Sequence, residues 1–390
     1  MSFRRFGNKI TQLQAILGGH GHEVYSVPNL RIAIHHNTGC RHFFLIQPDD
    51  QVYPCPHFKG EHGLDIAATQ ANIIPALRLG GAVTLAPHLG EEQVNLFLAC
   101  LGRLSAGWTG LPDRPEATPE NCLRALWLAA HGQPRVLEEA ASQPLPNLPS
   151  VGIEKLNELV NQLMSGVPLA YCTGRWRFMG LDFLATADAL IPQRETEILG
   201  NSALKLLDQL VRERGQATVL DLCTGSGNLA VALAFRAPTC RVFGADLSEA
   251  AISLARKNAV HLNVQDRVEF QVGDLFAPFE GVAGSVKFDL ITCNPPYISS
   301  AKVGAMRTEV ASSGPRMAFD GGPFGLSILS RVIKESPRFL DPSSWVAFEV
   351  GVGQGPGMER LMKKMPEYSE VQAVPDSEGV IRVLSGRTRG

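Results

Sequence analysis

The chain has 390 residues, 45% of them apolar and 19% charged, with a formal net charge of −2. That length exceeds one ordinary core and predicts about two or three domains of roughly 100–200 residues each. The composition excludes a disordered chain, and the small charge leaves no global field to recruit nucleic acid or an anionic membrane. Met1 to Lys9 is polar and basic with no apolar run behind it, and no stretch reaches the roughly 20 apolar residues of a membrane span. Eight scattered cysteines read as reduced thiols. A cytoplasmic protein is the expectation.

Residues 1–112 form one compositional unit, with strand-like runs at Val24–Val27, Leu30–Ile34 and Phe43–Ile46. A helix is predicted over Ile66–Leu79, then the apolar run Ala82–Leu85, then a helix from Glu91 to Leu104. The expectation for 1–112 is an α+β domain that shields substrate or pairs two copies as a homodimer. His35, His36, Cys40, His42, Cys55, His57 and His62 crowd one part of it. Their spacing matches no regular zinc framework, so no metal site is assigned.

Residues 113–174 read as a small helical domain. Thr118-Pro119-Glu120 supplies a helix cap with proline at the first helical position, leading into Leu123–Ala130. The proline-rich Gln143–Val151 is a loop. Ile153, Leu156, Leu159, Val160 and Leu163 then form one helical stripe. Over 175–390 strands and helices alternate, with strands expected at Val219–Leu222, Val242–Ala245, Val268–Val272, Phe288–Thr292, Val346–Val350 and Val380–Leu384. Such alternation predicts an α/β doubly wound parallel sheet with its site at the strands' carboxyl ends. The runs Tyr368–Val374 and Gly379–Ser385 predict a closing hairpin.

Asp221-Leu-Cys223-Thr-Gly225-Ser-Gly227 is a strand end, a glycine turn and a helix start, suited to a ligand approaching the backbone. The spacing also meets the dinucleotide pattern G-x-G-x-x-A, and glycine turns occur in any doubly wound fold, so the loop alone leaves both readings open. Three acidic strand ends in series tilt it towards S-adenosylmethionine. Asp221 suits the methionine ammonium, Asp246 (before Leu247) the ribose hydroxyls, and Asp274 with Leu275 the adenine. Asn294-Pro295-Pro296-Tyr297 follows an apolar strand, and its prolines make that strand end stiff. The Asn294 side-chain oxygen and the Pro295 carbonyl can accept both N–H bonds of a planar nitrogen, aiming its lone pair at a methyl donor. Tyr297 can stack on the planar group.

These motifs together resemble the HemK/PrmC family of protein-glutamine N5-methyltransferases. Gly166-Val-Pro-Leu-Ala-Tyr171-Cys-Thr-Gly174 and Phe178–Phe183 are similar to its interdomain hairpin, and Leu190-Ile-Pro192-Gln-Arg194-Glu195-Thr196-Glu197 to its Ile-Pro-Arg-Pro-Glu-Thr-Glu segment. Gly314–Gly322 lines up with a further segment. The resemblance covers roughly 113–387. It implies a class I methyltransferase domain, Rossmann-like with a seven-stranded and mostly parallel sheet, behind a small helical domain. It also implies S-adenosyl-L-methionine as cofactor and a release factor-like protein as partner. Cofactor contacts would come from Asp221, Cys223, Gly225, Gly227, Asp246, Leu247, Asp274, Leu275 and Asn294, with Phe178 closing over the methionine end. Asn294, Pro295, Pro296 and Tyr297 would meet substrate, together with Arg194, Glu195 and Glu197.

Departures from the family pattern are Cys223 where a glycine is usual, Gln193-Arg194 for Arg-Pro, and Gly314 for a glutamate. About 110 extra residues also precede the resemblance. They keep a second reading open, in which the substrate is a free amino acid, such as the arginine guanidine, or a natural-product intermediate. A nucleic-acid amino-group methyltransferase and a non-catalytic binding protein are the more distant alternatives.

Overall fold

The computed structural model describes the backbone of 23–27, 30–37, 40–46 and 52–54, and residues 89–106, 108, 114–280, 287–297, 315 and 325–390. The expected Ile66–Leu79 helix, the Ala82–Leu85 run, the His35–His62 side chains and all of Gly314–Gly322 but Pro315 lie outside the described residues. Strands β1 (Glu23–Val27), β2 (Leu30–Asn37), β3 (Cys40–Ile46) and β4 (Val52–Pro54) pair antiparallel in that order.

Helices α1 (Glu91–Ala106), α2 (Pro119–Ala130), α3 (Leu137–Ala140) and α4 (Ser150–Met164) follow. The Thr118 hydroxyl accepts from the Asn121 N–H at 3.1 Å, so the cap read from sequence forms. Trp127 is fully buried; its ring lies 5.8 Å from Phe97 and its indole N–H donates to the Pro146 carbonyl at 2.8 Å. Leu156, Leu159 and Val160 of the α4 stripe are buried. Because α1 packs on α2 and α4, the helical bundle begins upstream of residue 113. The chain divides into compact units between Ser165 and Gly166, which puts the rest of the expected hairpin region with the second unit.

That unit opens with α5 (Leu169–Thr173) and the hairpin β5 (Arg175–Phe178) and β6 (Leu181–Leu184). Next come α6 (Thr196–Arg214), β7 (Ala217–Leu222), α7 (Asn228–Arg236), β8 (Cys240–Asp246), α8 (Glu249–His261), β9 (Val268–Val272) and β10 (Phe288–Cys293). The last elements are α9 (Ser327–Glu335), β11 (Leu340–Glu349), α10 (Gly355–Lys363), β12 (Tyr368–Pro375) and β13 (Ile381–Thr388). Seven strands form one sheet in the order β12-β13-β11-β10-β7-β8-β9. Neighbours from β11 to β9 are parallel, whereas β13 runs antiparallel to both β11 and β12.

The strands are apolar on both faces because helices cover both. Val219, Leu290, Trp345 and Ala347 join the layer beneath α6, α7 and α8. Leu220, Leu222, Ile291, Val346 and Phe348 join the opposite layer with Leu329, Val332 and Met362 of α9 and α10. Progression from β7 runs outward through β8 to β9, then returns to β10 on the other side of β7. Strand order therefore reverses between β7 and β10, and the crevice beyond their carboxyl ends is where such sheets bind ligands.

Candidate active site

Asp221 ends β7 and is buried, with carboxylate oxygens accepting from the Thr224 hydroxyl at 2.6 Å and the Thr292 hydroxyl at 2.7 Å. Burial raises its pKa to about 6, and those two hydroxyls oppose the rise. Cys223, Gly225 and Gly227 all have positive φ, at 55°, 55° and 74°. The conformation at Cys223 is one that a glycine adopts without steric cost.

Gly227 also serves a packing need. A Cβ there would lie 2.8 Å from the Ala255 Cβ and 3.0 Å from the Phe270 ring. It permits close packing of α7 on α8 and is absent from the cavity wall. Gly227→Ala is expected to cost roughly 2–4 kcal/mol, combining overpacking with a left-handed non-glycine residue. The check is the melting temperature, and an unchanged value would refute this packing role.

Asp246, at the end of β8, accepts from the Gly225 N–H at 2.8 Å with one oxygen and from the Ser248 N–H at 2.9 Å with the other. Burial raises its pKa while those backbone donors lower it. Beside it Leu247 is 58% exposed and lines the cavity. Asp274 is exposed and pairs with Arg331 at 2.9 Å. Leu275, with φ 50°, is buried next to it.

A cavity of about 290 Å³ runs along these strand ends, near the lower limit of the roughly 300–1,000 Å³ usual for ligand pockets. Its wall brings together Asp221, Cys223, Gly225, Asp246, Leu247, Asp274, Leu275, Asn294 and Pro296. Asn294 donates from Nδ2 to the Thr196 hydroxyl at 2.9 Å, an orientation that leaves Oδ1 for another donor. Thr196 is buried and also lines the cavity.

Tyr297 is held from several sides. Gln354 donates to its carbonyl at 3.0 Å and to the Gly325 carbonyl at 3.2 Å. A Cβ on Gly351 would come 2.9 Å from the Tyr297 ring, so only glycine leaves the ring this seat. Burial, followed by the charge of Glu349, pushes the phenol above its ordinary range.

A methyltransferase domain model matches residues 213–373. The chain is 33% identical over 297 residues to a release factor glutamine methyltransferase of Moorella thermoacetica, covering 76% of this chain and 96% of that one. It is 37% identical over 220 residues to the Geobacter sulfurreducens enzyme of the same name, covering 56% and 73%. The chain belongs to the release factor glutamine methyltransferase family. It is an S-adenosyl-L-methionine-dependent N-methyltransferase of class I fold. Among solved structures, a ribosomal protein L11 methylase from Lactobacillus delbrueckii subsp. bulgaricus is 20% identical with a TM-score of 0.36, covering 53% of this chain and 84% of that one.

The enzyme's cavity wall fits this cofactor chemically. Carboxylates including Asp221, Asp246 and Asp274 meet the need of an ammonium, a diol and an aromatic amine for acceptors, and leucines including Leu247 and Leu275 offer apolar surface for a ring. A Cβ on Gly225 would meet nothing within 4 Å, so that backbone is open to a ligand.

Several expected residues stand elsewhere. Phe178 does not close over the cavity: it is 1% exposed in the core, edge-on to Phe183 at 6.2 Å. Its place at the end of β5 turns the ring into the layer beneath α6. Arg194, Glu195 and Glu197 are not in the wall. Glu197 instead accepts from the Met179 N–H at 2.7 Å, tying the β5–β6 turn to α6. Pro295 is buried, and neither it nor Tyr297 lines the cavity. Sequence reasoning passed over Thr196, the uncharged residue between those acids, and also Thr292, Gln354 and Arg331. It passed over Glu349 too, although a lone acid in the apolar run Val346–Val350 is a signal in itself. Among the described residues no group of His, Cys, Asp and Glu is arranged to hold a metal, and no helix is long and apolar enough to cross a membrane.

Proposed function

We propose that the enzyme methylates the side-chain amide nitrogen of a glutamine in a peptide release factor. The carrying observation is the Asn294 amide, whose Nδ2 donates to Thr196 and leaves Oδ1 for substrate, in the wall of an acid-lined cavity. In this reading Asp246 accepts from the ribose hydroxyls, Asp274 and Leu275 take the adenine, and Asp221 faces the ammonium group. The cofactor supplies an electrophilic methyl group. Asn294 Oδ1 and the Pro295 carbonyl accept the two amide N–H bonds and aim the nitrogen, and Tyr297 supports the planar group. No strong base is required, because the nitrogen proton becomes acidic once the methyl is attached. The names of the Moorella and Geobacter relatives support a release factor as partner. Residues 1–112 are read as a substrate-shielding or pairing domain.

The test is labelled-methyl transfer measured in parallel with a release factor, its glutamine-to-alanine variant, free arginine, free glutamine and a nucleic-acid mixture. Label is expected on the release factor alone and absent from its variant. Label on free arginine or nucleic acid, with none on the release factor, would overturn the assignment.

A further inference from the structure

Glu349 ends β11 inside an apolar run in which Val346, Ala347, Phe348 and Val350 are all fully buried. It is 1% exposed, and no donor among the described residues meets either carboxylate oxygen in good hydrogen-bond geometry. Such a group is costly and needs a reason to stay. The hydroxyls of Thr196 and Tyr297 are at hand, Arg382 of β13 contributes positive charge, and Glu195 contributes negative charge. The Arg382 Nε is itself buried without an acceptor.

The Thr196 hydroxyl already accepts from Asn294, so its single proton is free to turn to Glu349. A carboxylate, a threonine hydroxyl and an asparagine amide thus stand in series, with the Thr196–Asn294 link formed. If the acceptor at the end of this series were lost, the Thr196 proton could point back at Asn294 and favour the flipped amide, which would present N–H groups to an N–H substrate. Resting on the site reading above, we propose that Glu349 is a positioning residue, fixing the Asn294 amide through Thr196 and the Tyr297 hydroxyl directly. The ionised carboxylate accepts both hydroxyl protons at once, whereas the protonated acid must give one up. Burial raises the Glu349 pKa to about 7, opposed by Thr196, Arg382 and Tyr297 and reinforced by Glu195, so the switch falls in the working range.

The experiment compares Glu349→Gln, Thr196→Val and Thr196→Ser in the full-length enzyme. Glu349→Gln and Thr196→Val are expected to lower kcat about 10- to 100-fold, the usual cost of misplacing a reacting group. Cofactor affinity should hold, and Thr196→Ser should recover most of the rate. Wild-type kcat should fall as pH drops through about 7, and Glu349→Gln should lose that limb. A readout without substrate is the Asn294 side-chain amide resonance in protein labelled with 15N-asparagine. It should titrate near the same pH in the wild type and stay fixed in Glu349→Gln. An unaltered kcat together with an amide resonance indifferent to Glu349 would overturn the proposal. Because that resonance needs no acceptor, it decides the role of Glu349 even if the release factor proves the wrong substrate.

Discussion

Replacing Asn294 with alanine is expected to lower kcat about 1,000-fold while leaving cofactor affinity within about threefold of wild type, the range seen when one preorganised hydrogen-bonding group is removed from a reaction centre. An amide nitrogen has a delocalised lone pair and attacks poorly unless its plane is held. Asn294 can hold it because its own amide is tethered, with Nδ2 donating to Thr196 at 2.9 Å. The two prolines that follow deny the backbone the freedom to compensate. Single-turnover kinetics with saturating cofactor would measure the loss directly. A fall of less than about tenfold would place the orienting group elsewhere, since tenfold is only about 1.4 kcal/mol.

The second large effect is expected in binding. Asp246→Ala should weaken cofactor affinity about 100-fold or more, because hydrogen bonds to a charged group contribute roughly 1.5–3 kcal/mol each. The side chain has two duties. It draws the Gly225 and Ser248 N–H groups together, shaping the turn after β7 and the start of α8. It also forms part of the cavity wall. Titration calorimetry on the variant would read the loss. A dissociation constant within about threefold of wild type, worth well under 1 kcal/mol, would refute both duties.

How far the sequence discloses this site depends on the kind of residue. The strands, the glycine turn and the three acidic strand ends were legible because their signals are local: apolar runs, φ-demanding positions and charges at fixed offsets. The antiparallel closing pair was legible for the same reason. Asn294 was legible because two prolines advertise a stiff strand end. Phe178 was misread, since an aromatic on a short hairpin strand looks alike whether it caps a ligand or enters the core. Thr196 and Glu349 were missed for a different reason. They are distant in the chain from Asn294, and only the pairing of β10 with β11 sets the Glu349 end of one strand beside the Asn294 end of the other. Gly227 shows a third case: its packing duty was hidden, because its neighbour Ala255 belongs to another helix.

Cys223 gives the enzyme a built-in reporter. The residue belongs to the cavity wall and is partly exposed, while Cys293, at the end of the adjoining strand β10, is buried. A small thiol reagent should therefore distinguish the two, labelling Cys223 at a rate that depends on whether the cavity is filled. Adding S-adenosyl-L-methionine or its demethylated product should slow that labelling in step with occupancy. The departure from glycine that strains this turn thus makes occupancy of the cavity readable by mass spectrometry, with no acceptor present.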